Sequence, residues 1–460
     1  MDSSKETLVH AGDYKLESLT LTSQNSNESS DITQFMLELN LYEDLFSFCM
    51  TGNLVVADAI NLISNFPILG NEYLSVKLRT PTLEDSPGNV IEKTFQIYAI
   101  YDRTLNDDRS QYYNISFMSV EGYENQTTVV TKAFNGSTDE VAQKIYEEYI
   151  EFGRPLVIMD APHTSRIKYI SNHWTPFRNM NFISKTAKGS KLKGSDYLFF
   201  ESNKAFYFAS IESLIASQLN ENSGVFDEYV LERNDAKMPR RVTDIGYTGN
   251  RLPDSVTAIE NLKMLTTIDT LEGNNKGAFA ASIDGYDFYT KKVINVSSRF
   301  ALPDFVKTGT KSILPSTLLK NPRAHKTFYS HNTGLFNDFG LTDEEDLPSG
   351  STASNISTKL LNRRGYLSSF ENNKFEAVLP GRTDIQVGHV ISLLYPSAEA
   401  STEGEESTIL DPMLSGFYII SAIHHKFDKN RHVMNTELIK NGYNDSPEKV
   451  ALEGDSENVS

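Results

Sequence analysis

The sequence predicts an α+β, mainly β, protein in which one antiparallel β block occurs twice with an α/β region between the copies. Three observations carry this expectation. Short apolar runs with a period of two residues cluster toward both ends of the chain. The C-terminal runs repeat the order of the N-terminal ones. Between them lie segments whose apolar residues recur at helical spacing.

Residues 1–34 are polar, and "SQNSNESSD" (23–31) has the chemistry of a turn or loop. From Phe35 to Tyr123 the texture is β. "EYLSVKLRTP" places Leu74, Val76 and Leu78 on one face and Tyr73, Ser75, Lys77 and Arg79 on the other. "KTFQIYAIYD" (93–102) and "QYYNISFMSV" (111–120) are two further strands, and "RTLNDDRS" between them is expected to form the hairpin turn. "STDEVAQKIYEEYI" opens with a capping box, Ser137 followed by Glu140, and sets Val141, Ile145 and Tyr149 on one helical face. A second helix is expected in "TPFRNMNFISKTAKG", with Thr175 as N-cap, Pro176 at the first position and Gly189 as the stop. "DYLFFESNKAFYFASIESL" (196–214) predicts two strands around Asn203-Lys204. Strand-like texture returns between Tyr229 and Phe300. Residues 301–354 are rich in Pro, Gly, Ser, Asn and Asp and are expected to be an excursion or linker. A short helix over 356–370 then leads into strands up to Tyr443, and the acidic final residues are expected to be disordered.

The repeat is legible residue by residue. Gly70 precedes "YLSVKLRTP", then come "FQIYAIYDRTLNDDR" and "YYNISFMSVEGY"; Gly388 precedes "VISLLYP", then come "FYIISAIHHKFDKNR" and "MNTELIKNGY". Leu74-Ser75-Val76 matches Ile391-Ser392-Leu393, and Ile97-Tyr98-Ala99-Ile100 matches Ile420-Ser421-Ala422-Ile423. Unequal loops make this a duplicated antiparallel fold and not a short-period solenoid.

Composition bounds the function. The chain has 460 residues, 39% of them hydrophobic, with 26 Phe and 22 Tyr, enough for several packed domains. A net charge of −18 argues against a general nucleic-acid binder, which needs Lys and Arg opposite phosphates. No signal peptide is visible at the N-terminus, and no apolar run approaches the roughly 20 residues that span a bilayer. The single cysteine, Cys49, lies among apolar residues, which suits a buried thiol in a reducing compartment.

His424-His425 invites a catalytic or metal reading, since only nine histidines occur. Neighbouring strand residues point to opposite faces, so the pair cannot chelate one ion. His425 is expected to share its face with Ile423 and Phe427, and His424 with Ala422 and Lys426; ordinary hydrogen bonds at a strand end are the expectation. "GSKLKGSD" (189–196) only approximates a phosphate-binding loop and stands in the wrong helix–strand order, so a flexible connector is expected. No nucleophile elbow, H-E-x-x-H or calcium loop occurs, and no carboxylate pair stands out. Neither a catalytic residue, a metal nor a cofactor is expected. A metal-dependent hydrolase using the histidines is the alternative from another class, and a tail-tip receptor-binding protein is a third reading.

Three stretches resemble the baseplate hub proteins of T-even-like contractile-tailed bacteriophages: "NFPILGNEYLSVKLRTP" with "FQIYAIYD"; "HWTPFRNMNFISKTA" with "DYLFFESNKAFYFASIESL"; and "FEAVLPGRTDIQVGHVISLLYP" with "LSGFYIISAIHHKF". The resemblance implies two similar antiparallel β-barrel tube domains with an inserted α/β region. Its expected division is a first barrel at 1–127, a middle α/β domain at 128–228 and antiparallel strands shared with the second barrel at 229–300. An excursion follows at 301–354, then a second barrel at 355–443 and a tail at 444–460. It further implies a homotrimeric, pseudo-six-fold ring in the virion, assembled in the host cytoplasm. The ring's partners are a central spike, a tail-tube or tube-initiator protein and baseplate wedge proteins, with DNA only in transit and no membrane. Tyr73, Leu74, Val76, Leu78, Ile97, Ile100, Ile391, Leu393, Ile420 and Ile423 are the candidate barrel and subunit-interface positions.

Overall fold

A computed structural model of the chain describes residues 10–25, 28–66, 68–81, 83, 88–107, 110–163, 166–192, 194–221, 227–231, 257–267, 271, 275, 280–287, 291–299, 310–311, 325–331, 353–370, 373–395, 411, 414–441 and 443–444. The first block comprises β1 (Lys15–Thr22), β2 (Ser29–Asp31), β3 (Met36–Asp44), β4 (Thr51–Asp58), a one-turn helix α1 (Leu62–Asn65), β5 (Tyr73–Arg79), β6 (Val90–Asp107) and β7 (Ser110–Ser119). The strands are antiparallel in the order β3-β4-β7-β6-β5-β1-β2. Strict alternation in β5 buries Leu74, Val76 and Leu78 and leaves Tyr73, Ser75, Lys77 and Arg79 half-covered, as the sequence predicts. Leu19 and Leu21 of β1 share one core with Leu39 and Leu41 of β3, so the sheet curls until its two ends meet the same interior.

One expected boundary moves. "RTLND" is not a turn: β6 stays paired with β7 as far as Asp107 opposite Ser110. Register shifts between Tyr101 and Thr104 and between Leu105 and Asp107 absorb the polar residues that sequence reading assigned to the reversal.

After α2 (Val120–Thr127), the middle region contains β8 (Ala133–Ser137), α3 (Thr138–Tyr149), β9 (Leu156–Ile158), β10 (Arg166–Ile170), α4 (Pro176–Thr186), β11 (Tyr197–Glu201), β12 (Phe206–Ser210) and α5 (Ile211–Glu221). The capping box of α3 is formed by Ser137 and Glu140. Thr175 caps α4 by accepting from the Arg178 amide, with Pro176 in the first turn. Extended backbone at Ala187 ends α4 two residues before the expected glycine. The β11–β12 hairpin joins parallel to β9, and α3 and α4 pack with it around a third core that includes Tyr146, Phe177, Met180 and Phe208.

The segment expected to be a flexible connector is pinned. Asp160 accepts the Lys191 amide at 2.9 Å and the Leu192 amide at 3.0 Å, and Gly189 donates to Gly194 at 2.8 Å. A carboxylate that satisfies consecutive backbone amides fixes a loop that its sequence leaves open.

The last part begins with β13 (Glu228–Leu231), β14 (Ala258–Ile259), β15 (Asn261–Thr267), β16 (Ala280–Asp287), β17 (Lys292–Arg299), β18 (Thr310–Lys311) and β19 (His325–His331). It continues with α6 (Ala353–Ser369), β20 (Asn373–Pro380), β21 (Val390–Leu394), β22 (Gly416–Asp428), β23 (His432–Lys440) and β24 (Tyr443–Asn444). Strands β16, β17 and β19 form their own sheet, with β19 parallel to β16. Within the stretch expected to be an excursion, β18 and β19 are strands, and most of the rest lies outside the described residues, as does 445–460 of the expected tail. β13 runs parallel to β21 and β14, where antiparallel strands were expected; a long connection between β13 and β21 permits that pairing.

The duplication survives at the level of register. Tyr73 and Leu74 face Gln96 and Phe95; their counterparts Val390 and Ile391 face Ile419 and Tyr418. The β6–β7 ladder slips between Ile97 and Ala99, and the β22–β23 ladder slips between Ile420 and Ala422. Ile97 donates its amide to Glu72 at 3.0 Å, and Ile420 donates to His389 at 2.9 Å. The strand path β1-β5-β6-β7-β4-β3 has its counterpart in β13-β21-β22-β23-β20-β15. Ala258 and Ile259 pair with β13, while Asn261 to Thr267 pair with β20. The copies part company at their Gly-Tyr ends, Tyr123 entering α2 and Tyr443 entering β24.

Candidate functional site at the junction of the blocks

β22 belongs to both blocks. Its first residues pair with β21, and its remainder, from Ala422 opposite Asp44 to Asp428 opposite Glu38, pairs with β3; β23 lies along its other edge. The two blocks therefore share one 14-stranded ladder. Phe427 enters the first core, while Ile420 and Ile423 enter the second. The chain makes the same crossing at β3, with Leu39 and Leu41 in the first core and Leu45, the residue after the strand, in the second.

Polar groups fill the boundary between these cores. Glu43 stands in the apolar phase of β3, fully buried, with its Oε1 3.5 Å from His425 Nε2. His425 Nδ1 lies 3.1 Å from His432 Nε2 in a buried hydrogen bond. The His432 ring stacks on Phe427 with centroids 3.9 Å apart. Burial, with His425 beside it, holds the His432 imidazole well below the usual histidine range. His424 faces the other way. Its Nε2 donates to Asn40 Oδ1 at 2.6 Å, its Nδ1 accepts from Asn435 at 3.3 Å, and its ring stacks on Tyr42. The opposite-face expectation holds: His425 is buried with Ile423 and Phe427, and His424 is half-exposed with Ala422 and Lys426. Both ring nitrogens of His424 are engaged, which leaves it no lone pair for a metal ion. Among the described residues no group of three or more His, Cys, Asp or Glu is placed to hold one.

The middle region docks onto this junction through the β11–β12 turn. Lys93 of β6 forms a fully buried ion pair with Glu201 of β11. Glu201 also accepts from the Met50 amide at 2.8 Å and from the Ser119 hydroxyl. Burial, with Arg154 nearby, pushes the Lys93 ammonium well below its usual range. Arg154 donates to the carbonyls of Ser202 at 3.2 Å and Asn203 at 2.6 Å, and to that of Glu92 at 3.2 Å. The loop before β21 closes the third side. Thr383 exchanges hydrogen bonds with Thr80, and Ser202 donates to Gln386 at 2.9 Å. Arg382 grips Asp384 through two nitrogens and reaches Asp227 at 3.0 Å. A bidentate, nearly buried guanidinium of this kind fixes geometry as well as charge.

The candidate interface positions occupy interiors. Leu74, Val76, Leu78 and Ile97 lie in the first core with Ile100 packed against it; Ile391, Leu393, Ile420 and Ile423 lie in the second core. Tyr73 alone faces outward, half-buried. These side chains hold each block together. Cys49 packs against the middle core, and burial pushes its thiol up, the reverse of an activated nucleophile. Glu43 and Lys93 escaped sequence reading although a signal existed. Each interrupts an apolar alternation, Leu39-Leu41-Glu43-Leu45 and Ile91-Lys93-Phe95-Ile97.

Together these features define a mainly β chain with antiparallel sheets, a repeated strand path and a fused polar junction. The same fold occurs in a tail protein from Neisseria meningitidis, with a TM-score of 0.51 at 8% identity over 93% of this chain and 96% of that one. A prophage tail protein from Shewanella oneidensis aligns over 92% of this chain and 98% of its own at 9% identity, with a TM-score of 0.49. A prophage tail protein from Listeria monocytogenes aligns with a TM-score of 0.44 at 10% identity, over 95% of this chain and 98% of that one. No protein-family model and no curated protein sequence matches the chain.

Proposed function

We propose that this chain is a structural hub of a contractile phage tail, joining the tail tube to the central spike, and that it is not an enzyme. The observation that carries the reading is the repeated register of β5-β6-β7 in β21-β22-β23, bulge included. Two copies of one strand path are what a three-chain ring needs to present six similar units to a six-fold tube. The fold shared with the Neisseria tail protein supports the same reading. The curl of the first sheet and the pairing of 258–267 with both β13 and β20 support two tube-like barrels. We assign these to 1–127 and 355–443, the latter completed by strands from 229–300, with 128–228 as the inserted α/β domain.

In this reading the chain is a homotrimer in the virion baseplate, assembled in the host cytoplasm. It contacts spike, tube-initiator and wedge proteins, and DNA crosses its channel. A net charge of −18 suits a lumen that phosphates must pass without adhering. Electron microscopy of the purified protein, combined with its mass in solution, tests the proposal. A ring-shaped trimer with a central pore is expected. A strict monomer that binds neither spike nor tube protein would refute it.

A further inference from the structure

β22 joins the two blocks in three steps. It parts from β21 after Ile419 opposite Val390, its ladder with β23 slips between Ile420 and Ala422, and from Ala422 onward its freed edge takes β3. β6 repeats the first two steps. It parts from β5 after Gln96 opposite Tyr73, and its ladder with β7 slips between Ile97 and Ala99. The third step is missing: among the described residues no strand pairs with that edge of β6 beyond Gln96. Burial records the difference. Beyond the slip, Ile423, His425 and Phe427 of β22 are buried, whereas Tyr98, Tyr101 and Leu105 of β6 are exposed, Leu105 by 76%.

The receiving strand is duplicated as well. β4 and β20 correspond, because Leu54 faces Ile115 of β7 and Ala377 faces Thr436 of β23. Leu39 and Leu41 of β3 lie opposite Leu54 and Gly52; Leu262 and Met264 of β15 lie opposite Ala377 and Phe375. β15 is therefore the second copy of β3. The outer edge of β3 pairs with β22 from Asp44 to Glu38, while the outer edge of β15 pairs with no strand among the described residues. Leu41 is fully buried, and Met264 at the corresponding position is 40% exposed beside exposed Leu265.

We infer that the free edge of β6 pairs antiparallel with the free edge of β15 in a second copy of this chain, remaking between copies the joint that β22 and β3 make within one. Transfer of the β22–β3 register sets Tyr101, the counterpart of His424, opposite Thr266, the counterpart of Tyr42. Unpaired strand edges bearing apolar side chains are templates for another strand, and backbone bonds supply the attraction. Within one chain β20, β23, β22, β3, β4 and β7 stand between β15 and β6 in the ladder, so the partner strand comes from a neighbour. The joint is head-to-tail: each copy offers β6 to one neighbour and β15 to another, which builds a closed ring or an open row. Closure by three copies rests on the trimeric reading above; the pairing rests on the repeated strand geometry.

Cross-linking of the full chain in a Cys49→Ala background tests the joint. Tyr101→Cys combined with Leu265→Cys places one thiol on each edge, both at exposed positions. A short bismaleimide is expected to link this double variant into dimers and trimers, and to leave either single-cysteine variant unlinked. Leu105→Asp and Leu265→Asp should each weaken self-association by about tenfold or more in solution-mass measurements, because each sets a carboxylate into the joint. Ile170→Asp, on an exposed site of β10, should leave the mass unchanged. An oligomer of the same mass in which no cross-link forms, or one that both aspartates leave intact, overturns the joint and leaves the trimeric reading standing. A chain that stays monomeric at every concentration overturns both.

Discussion

Exchanging Glu201 for Gln isolates the contact that seats the middle region on the first block. Lys93 and Glu201 side chains are 2% and 0% exposed, so solvent screens neither charge. Gln keeps an acceptor for the Met50 amide but leaves the Lys93 ammonium buried without an anion. Breaking one side of such a pair costs about 3–5 kcal/mol, roughly two to four powers of ten in the folding equilibrium. Lys93→Met should cost a similar amount by stranding the carboxylate. The double variant, Lys93→Met with Glu201→Gln, leaves no buried charge and should be more stable than either single variant. The interaction term should therefore be at least about 2 kcal/mol. Urea unfolding measures it with two probes. Trp174, the only tryptophan, packs against the middle core and reports that region, while circular dichroism reports the sheets. Single-variant costs that add to within about 0.5 kcal/mol in the double variant would refute a coupled buried pair.

Two further outcomes follow. Glu212, buried with Asp196 and Asp160 close by, is pushed up to about 9 by burial and then by those carboxylates. Between the unfolded value near 4.5 and about 9 the folded chain holds the extra proton, so stability falls as pH rises through that window. Glu212→Gln should flatten the slope and raise stability at pH 8 by on the order of 2 kcal/mol, read from thermal unfolding across pH. Gly70 and Gly388 hold φ of +91° and +85° beside the equivalent bulges. Changing either to Ala should cost about 1–2 kcal/mol in urea unfolding, and similar losses at the two sites would bear out their equivalence.

The parts of the fold set by local rules were open to sequence reading. The alternation in β5, the capping box of α3 and the Thr175-Pro176 start of α4 each depend on residues a few positions apart. The repeat was readable because the bulge at Ile97-Tyr98-Ala99 left the same apolar spacing at Ile420-Ser421-Ala422. What escaped was set by distant partners. Asp160 pins a loop some thirty residues away, Glu201 meets Lys93 across two blocks, and Glu43 comes within 3.5 Å of His425 across neighbouring strands. The β6 turn was misplaced for a related reason, since bulges let polar residues continue a strand that composition alone would end.

β22 also has a mechanical consequence. A strand hydrogen-bonded along β3 on one edge and β23 on the other acts as a splice plate between the blocks. Pulling the blocks apart along that strand loads its backbone bonds together in shear, whereas bonds that unzip fail one after another. Rupture then requires the rows to give way collectively, so this connection resists a sudden axial pull far better than a flexible linker of the same length.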